Sequence, residues 1–262
     1  MAELFIRNNS VGLIKGIIFD KDGTLSNSEK CLLELAKTRI EFAGKKFREL
    51  KINNLRITLL KRLLKSVYGL KKQALSANAS LAIASKENNI LSTATIFTLF
   101  GFDWFKSLSI SEEIFDEVDI FLSTNRSRMK KHRTLISGAF DLLVSLRNKK
   151  VSIALMTNDT QEGIEEFIIR NKLEGIFDYF WSAENKPSKP KPEAVIELCK
   201  KMNLKPSEFA LISDADTDLK MAKKADIPIV IGFTGGWETP PILTETRFLI
   251  KNLNELTIHS SY

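Results

Sequence analysis

Ile14-Lys15-Gly16-Ile17-Ile18-Phe19-Asp20-Lys21-Asp22-Gly23-Thr24-Leu25 decides how the chain reads. A short apolar run that stops at an aspartate has the texture of a strand buried on both faces, as in parallel sheets. Side chains alternate along an extended chain, so Asp20 and Asp22 leave on one side and both carboxylates can face one pocket. Gly23 permits the sharp turn that follows. An EF-hand loop starting at Asp20 would need glycine where Leu25 stands and glutamate where Cys31 stands, which excludes that kind of calcium site. Alone, an Asp-x-Asp-Gly is more readily a turn than a site. Its meaning rests on the rest of the chain.

Beyond this stretch the period becomes helical, from about residue 28 to 133. Leu32, Leu35, Ala36, Ile40 and Ala43 share one helix face, as do Leu55, Leu59, Leu63 and Val67, and then Ile114, Val118, Phe121 and Leu122. Ser109 and Glu112 have capping-box spacing ahead of that last run. No credible strand interrupts the block, so it reads as a small helical bundle. After residue 134 strands return at 151–156, 180–182, 209–213, 227–231 and 248–250, with helices between most of them, including 162–171 and 193–202. Strands alternating with helices imply a parallel sheet covered on both faces. The fold class expected is α/β: a doubly wound, mostly parallel, Rossmann-like sheet formed by residues 1–25 and 134–262, carrying an inserted all-helical domain at 26–133.

Counts narrow the chemistry. The 262 residues include two cysteines and two histidines, His132 and His259. Cys31 and Cys199 give neither a disulfide framework nor a zinc spacing, and a reduced cytoplasmic setting follows as the expectation. The first ten residues lack the apolar core of a signal peptide, and no stretch has the ~18 apolar residues of a membrane span. Any catalysis must therefore use carboxylates, hydroxyls and lysine.

Ligands of open α/β sheets bind beyond the carboxyl ends of the strands, and four clusters stand there. Asp20 and Asp22 are the first. Thr157-Asn158-Asp159 is the second, where a hydroxyl and turn N–H groups can form an anion nest or simply an N-cap. Ser188-Lys189-Pro190-Lys191-Pro192-Glu193 is the third: alternate prolines stiffen a loop that can present Lys189, unless it is only a surface turn. Ser213-Asp214-Ala215-Asp216-Thr217-Asp218 is the fourth. Asp214 and Asp218 share a face if a helix begins here, and a divalent cation would relieve their repulsion, as would plain capping in part. Taken together, carboxylates, a hydroxyl nest and a lysine suit phosphate-directed chemistry with a hard cation.

These four clusters, in this order, resemble the motifs of the haloacid dehalogenase superfamily, in its phosphoglycolate-phosphatase-like branch with an inserted helical cap. The resemblance implies that Asp20 is the nucleophile, that Asp22 protonates the leaving alcohol and then activates water, and that Lys189 neutralises the transferring group. It further implies that Thr157 and the Asn158 region hold the phosphoryl oxygens. Mg²⁺ would lie among Asp20, the Asp22 carbonyl and Asp214, with Asp218 direct or through water. Asp22 favours phosphoester hydrolysis, because the family's dehalogenases and ion pumps lack an aspartate there. Ser213 and Asn27 depart from the usual glycine and aspartate.

The function expected is a Mg²⁺-dependent phosphatase for a small phosphorylated metabolite, phosphoglycolate or a sugar phosphate leading. A 5′-nucleotidase or nucleic-acid-end phosphatase and a phosphoglucomutase-like transferase are the alternatives, and the full motif set argues against an idle binding module. Lys86 is the pick for a substrate contact from the cap, against its plainer reading as a solvated loop lysine. The net charge of +7 is uneven: residues 26–133 hold 20 Lys and Arg against 11 Asp and Glu, the remainder 19 against 21. A basic cap can steer anionic substrates or merely be solvated. Nucleic acid is disfavoured as a partner, and no membrane is expected.

Overall fold

Six parallel strands form the central sheet of a computed structural model that describes residues 1–72, 74–124 and 134–260. In chain order the strands are β1 (Ala2–Ile6), β2 (Asn9–Ile14), β3 (Gly16–Phe19), β4 (Ser26–Asn27), β5 (Leu70–Lys71), β6 (Ala74–Leu75), β7 (Thr134–Leu135), β8 (Ser152–Met156), β9 (Tyr179–Trp181), β10 (Phe209–Ser213), β11 (Ile229–Phe233), β12 (Phe248–Ile250) and β13 (Leu256–Ser260). The helices are α1 (Glu29–Glu49), α2 (Asn54–Tyr68), α3 (Ser80–Ile83), α4 (Lys86–Thr98), α5 (Trp104–Thr124), α6 (Ala139–Asn148), α7 (Gln161–Asn171), α8 (Pro192–Lys201) and α9 (Asp216–Lys224). Two units result: Met1–Asn27 with Thr134–Tyr262, and Ser28–Arg133. Ser26 and Asn27 pair antiparallel with Leu135 and Thr134 inside the first unit.

The sheet order β12-β11-β10-β3-β8-β9 puts the quoted apolar run at the centre. From β3 the chain goes to β8 on one side and to β10 on the other, so the switch in winding direction falls at the end of β3. That is where a doubly wound sheet opens a crevice. The pleat sorts the strand residues into two cores. Ile17, Phe19, Ile153, Leu155 and Ile212 pack with Leu143 and Leu146 of α6 and Ile164 and Phe167 of α7. Ile18, Ala154, Met156, Phe209 and Leu211 pack with Val195 and Leu198 of α8 and Leu219 of α9. Gly16 is fixed by packing, since a Cβ there would stand 2.2 Å from the Phe209 ring.

The ends of the chain hold a sheet that the apolar-run reading does not anticipate, β13-β1-β2, antiparallel throughout. Ala2, Leu4 and Ile6 alternate into the core, joined by Leu256 and Ile258. Arg7 and Asn8, both at positive φ (50° and 67°), make the two-residue turn that matches strand twist.

In the second unit the long helices pair with one another. α2 buries Ile57, Leu60, Leu64 and Tyr68, not the expected stripe, of which Leu55 is 81% exposed. Both stripes are apolar; the buried one carries Tyr68, whose hydroxyl pairs with Thr93 Oγ1 at 2.6 Å. The capping box expected at Ser109 is absent, because Asp103 caps α5 by accepting from Lys106 N–H and the helix runs straight through Ser109. A two-residue ladder, β5 with β6, interrupts the expected all-helical character. The basic stretch at 126–133 lies outside the described residues. Among the described residues no helix is long and apolar enough to cross a membrane.

Candidate active site

Asp20 follows β3 directly, and its N–H donates to the Ile212 carbonyl of β10 at 3.0 Å, which ties the loop to the neighbouring strand end. Its Oδ1 accepts from Lys189 Nζ at 2.7 Å. Lys189 is buried before α8, where Pro192 opens the helix as expected. The same ammonium reaches Asp218 Oδ2 at 2.5 Å and the Met156 carbonyl at 3.3 Å, so one cation joins Asp20 after β3, the last residue of β8 and the first turn of α9.

Burial raises the Asp20 carboxyl to about 6, against the opposing pull of Lys189. For Lys189 burial acts downward, and the two carboxylates outweigh it, so its pKa is raised and the ammonium is kept.

Asp214 and Asp218 do not sit four apart on one helix. Asp214 precedes the N-cap Ala215, and only Asp218 lies within α9. Asp214 Oδ1 accepts from Thr24 Oγ1 at 3.0 Å, while its N–H donates to that oxygen at 3.1 Å. Its Oδ2 accepts from Trp237 Nε1 at 2.5 Å. Burial pushes Asp214 well up, and the nearby Asp20 and Asp218 add to the shift. Ser213, a departure from glycine, donates to Asp218 Oδ2 at 2.9 Å and accepts from Ala215 N–H at 3.2 Å. The hydroxyl thus fixes a carboxylate. Asp216 serves the loop beyond, accepting from the N–H groups of Thr244 and Glu245.

Thr157 begins the loop after β8 and is buried, its N–H bonded to the Trp181 carbonyl at 2.8 Å. Its hydroxyl oxygen accepts from Asp159 N–H at 3.1 Å, which leaves its own proton for donation. Asn158 beside it is half-buried. Asp22 is partly exposed, at 23%, and pairs with Lys21 at 2.8 Å. Gly23 takes φ +82°, and a Cβ there would stand 2.4 Å from both Asp214 Oδ2 and Trp237 Nε1.

The structure therefore brings together Asp20, Asp22, Thr157, Asn158, Lys189, Asp214 and Asp218 around the ends of β3, β8 and β10. Lys86 belongs to the second unit, as the first residue of α4 behind the cap Ser85. Its ammonium pairs with Asp119 at 2.7 Å and Asp116 at 3.3 Å on α5, so it is neither a loop residue nor an uncommitted charge. Four neighbours of the cluster went unassigned in the sequence. Lys21, Thr24 and Asp159 lie inside the quoted stretches. Trp237 follows a Gly-Gly turn with no local signal.

The donor set is all oxygen. The charge of Asp218 raises both Asp20 and Asp214, and one ammonium lies among the three carboxylates, which fits a hard divalent cation. Among the described residues no three acidic, histidine or cysteine side chains already close around one point. Mg²⁺ tolerates this, since it commonly takes one or two carboxylates and completes its shell with water and phosphate oxygens. Neither cysteine forms a disulfide among the described residues and both are buried, and burial pushes Cys199 up to about 12, far from reactivity.

Comparison with known proteins bears on the whole arrangement. A structure of a predicted phosphoglycolate phosphatase from Haemophilus somnus aligns with 93% of this chain and 96% of its own at TM-score 0.63 and 17% identity. A putative β-phosphoglucomutase from Thermotoga maritima aligns at TM-score 0.55 and 17% identity, over 92% and 96%. At such identity these establish the fold alone. Validoxylamine A 7′-phosphate phosphatase of Streptomyces hygroscopicus subsp. limoneus is 26% identical over 122 residues, 46% of this chain and 56% of that protein. An uncharacterized hydrolase of Saccharomyces cerevisiae is 28% identical over 91 residues, 34% and 41%. The matched regions thus span about half the length of these curated relatives. The family profile of haloacid dehalogenase-like hydrolases covers residues 14–226, from the central strand through the last helix of the site, and the chain belongs to that family.

Proposed function

We propose that this protein is a Mg²⁺-dependent phosphatase that hydrolyses a small phosphomonoester through an aspartyl-phosphate. The observation that carries the reading is Lys189, buried and shared between Asp20 and Asp218 at the switch point of the sheet. An Asp20 oxygen attacks phosphorus in line, and the bond from phosphorus to the ester oxygen breaks. Asp22 gives its proton to that oxygen, then takes one from the water that attacks the aspartyl-phosphate, releasing inorganic phosphate and free Asp20. Thr157 O–H and the N–H groups near Asn158 donate to phosphoryl oxygens, and Lys189 keeps positive charge beside the reacting carboxylate. Asp20, Asp214 and Asp218 would hold Mg²⁺, which supplies charge neutralisation for the phosphoryl group. Phosphoryl transfer asks for positioning and neutral charge above all, and this inventory provides both.

A curated relative named validoxylamine A 7′-phosphate phosphatase supports the small-metabolite class. Phosphoglycolate or a sugar phosphate remains the leading candidate. Phosphate release across a panel of esters, with and without Mg²⁺, tests the reading. Metal-dependent release that Asp20→Asn abolishes is expected. Isomerised phosphate without release would make the protein a transferase, and turnover by Asp20→Asn would refute the nucleophile.

A further inference from the structure

We infer that Lys21 is a positioning residue for this reaction, locking the acid Asp22 to the loop that holds the phosphoryl group. The inference rests on the phosphatase reading and goes beyond it. Lys21 is only 1% exposed, and its ammonium lies 2.8 Å from Asp22 Oδ2 and 2.6 Å from Asp159 Oδ2. Its charge also stands 5.9 Å from the Phe167 ring of α7. A buried ammonium needs such partners, and here the two partners come from different strand ends.

Asp159 is itself held on every side. Its Oδ1 accepts from Thr160 N–H at 2.9 Å, and its own N–H donates to Thr157 Oγ1 at 3.1 Å. Its carbonyl accepts from Ala183 N–H at 2.9 Å. The Lys21 carbonyl meanwhile accepts from Leu25 and Ser26 N–H at 2.9 and 2.8 Å, which anchors the turn carrying Asp22. A continuous path of contacts therefore runs from Asp22 through Lys21 and Asp159 to Thr157. Gly163 of α7 completes it: a Cβ there would stand 2.3–2.6 Å from all three carboxyl atoms of Asp159, so any side chain would push that carboxylate off its place. Asp22 gains a fixed position relative to the phosphoryl group, and the geometry of proton delivery to the leaving oxygen depends on it.

A general acid matters in proportion to how badly the leaving group needs a proton, so the experiment compares an alkyl phosphate with p-nitrophenyl phosphate. Lys21→Met should lower kcat on the alkyl ester by about 10- to 100-fold, within the range a positioned acid supplies. Loss on the aryl ester should stay within about threefold, with KM unchanged for both. Gly163→Ala should reproduce the selectivity in weaker form, and it keeps the test open if Lys21→Met does not fold, because alanine suits a helix. Equal losses on both esters, or no loss in folded variants, would overturn the inference. Asp20→Asn and Asp22→Asn run in parallel separate the two readings. If wild type releases no phosphate, if Asp20→Asn turns over, or if Asp22→Asn lacks the leaving-group selectivity, the phosphatase reading and the role of Lys21 fall together. If those controls behave and Lys21→Met with Gly163→Ala does not, only the role of Lys21 falls.

Discussion

Replacing the nucleophile should make the protein inactive and more stable. Asp20 titrates near 6 in the fold because burial opposes its charge more than Lys189 supports it, against 3.8 for an ordinary aspartate. A carboxyl whose folded pKa is raised favours folding while protonated, and that contribution is lost as pH rises from the unfolded value through the folded one. Two pKa units correspond to about 3 kcal/mol at pH 7.5, falling to about 1 kcal/mol at pH 4.5, where the folded carboxyl is almost fully protonated and the unfolded one has begun to protonate. Asparagine mimics the protonated form and avoids the charge. Metal-free Asp20→Asn should therefore exceed wild type by about 3 kcal/mol at pH 7.5, or roughly 5–10 °C in Tm, with the gap closing toward pH 4.5. Urea unfolding in a chelator at both pH values measures it. Adding Mg²⁺ should shrink the gap by stabilising wild type through binding. A variant that is less stable at pH 7.5, or a gap that ignores pH, would refute the reasoning.

Three further substitutions probe neighbouring contacts. Trp237→Phe removes the N–H donor of Asp214 Oδ2, and should cost about 1–3 kcal/mol in denaturant unfolding and weaken Mg²⁺ binding in calorimetry. Gly23→Ala meets both a positive φ and two atoms at 2.4 Å; phosphate release should collapse and stability fall by more than about 1 kcal/mol. In the second unit Arg39 is buried with its Nε lacking a hydrogen-bond partner and its guanidinium 3.7 Å from the Phe115 ring, and burial lowers its pKa. Arg39→Met, apolar and similar in length, should be neutral or stabilising in thermal melts, whereas a loss of several degrees would mean that the stacking outweighs the desolvation.

The central sheet was legible because each of its strands is a short apolar run, the composition that burial on both faces demands of the four inner strands β3, β8, β10 and β11. The run at 209–213 matches β10, and 248–250 matches β12. The terminal sheet was not legible for the complementary reason. Its strands bury one face only, so Glu3, Thr257 and His259 interrupt the apolar residues and the segments read as chain ends. In α2 the difficulty is the reverse: two apolar stripes compete, and the choice falls to packing partners from other helices, which a single segment does not encode.

The site divides along the same line. Asp20, Thr157, Lys189 and Asp214 each follow or flank a strand end, so topology alone brings them together, and a reader who knows where open sheets bind ligands can find them. The groups that hold them in place obey no such rule. Thr24, Ser213 and Trp237 act through hydrogen bonds made after the chain has folded, between positions 190 apart in one case and 23 in another. Lys21 is intermediate. Its place between two aspartates was plain, yet the sequence gives no sign that its ammonium turns toward Asp159, 138 residues away. A lysine between carboxylates reads as surface charge until burial is known. At 1% exposure an unpaired ammonium would be strongly destabilising, so the same fact that hid Lys21 in the sequence obliges it to bind two carboxylates in the fold. That obligation ties the turn bearing Asp22 to the loop bearing Thr157.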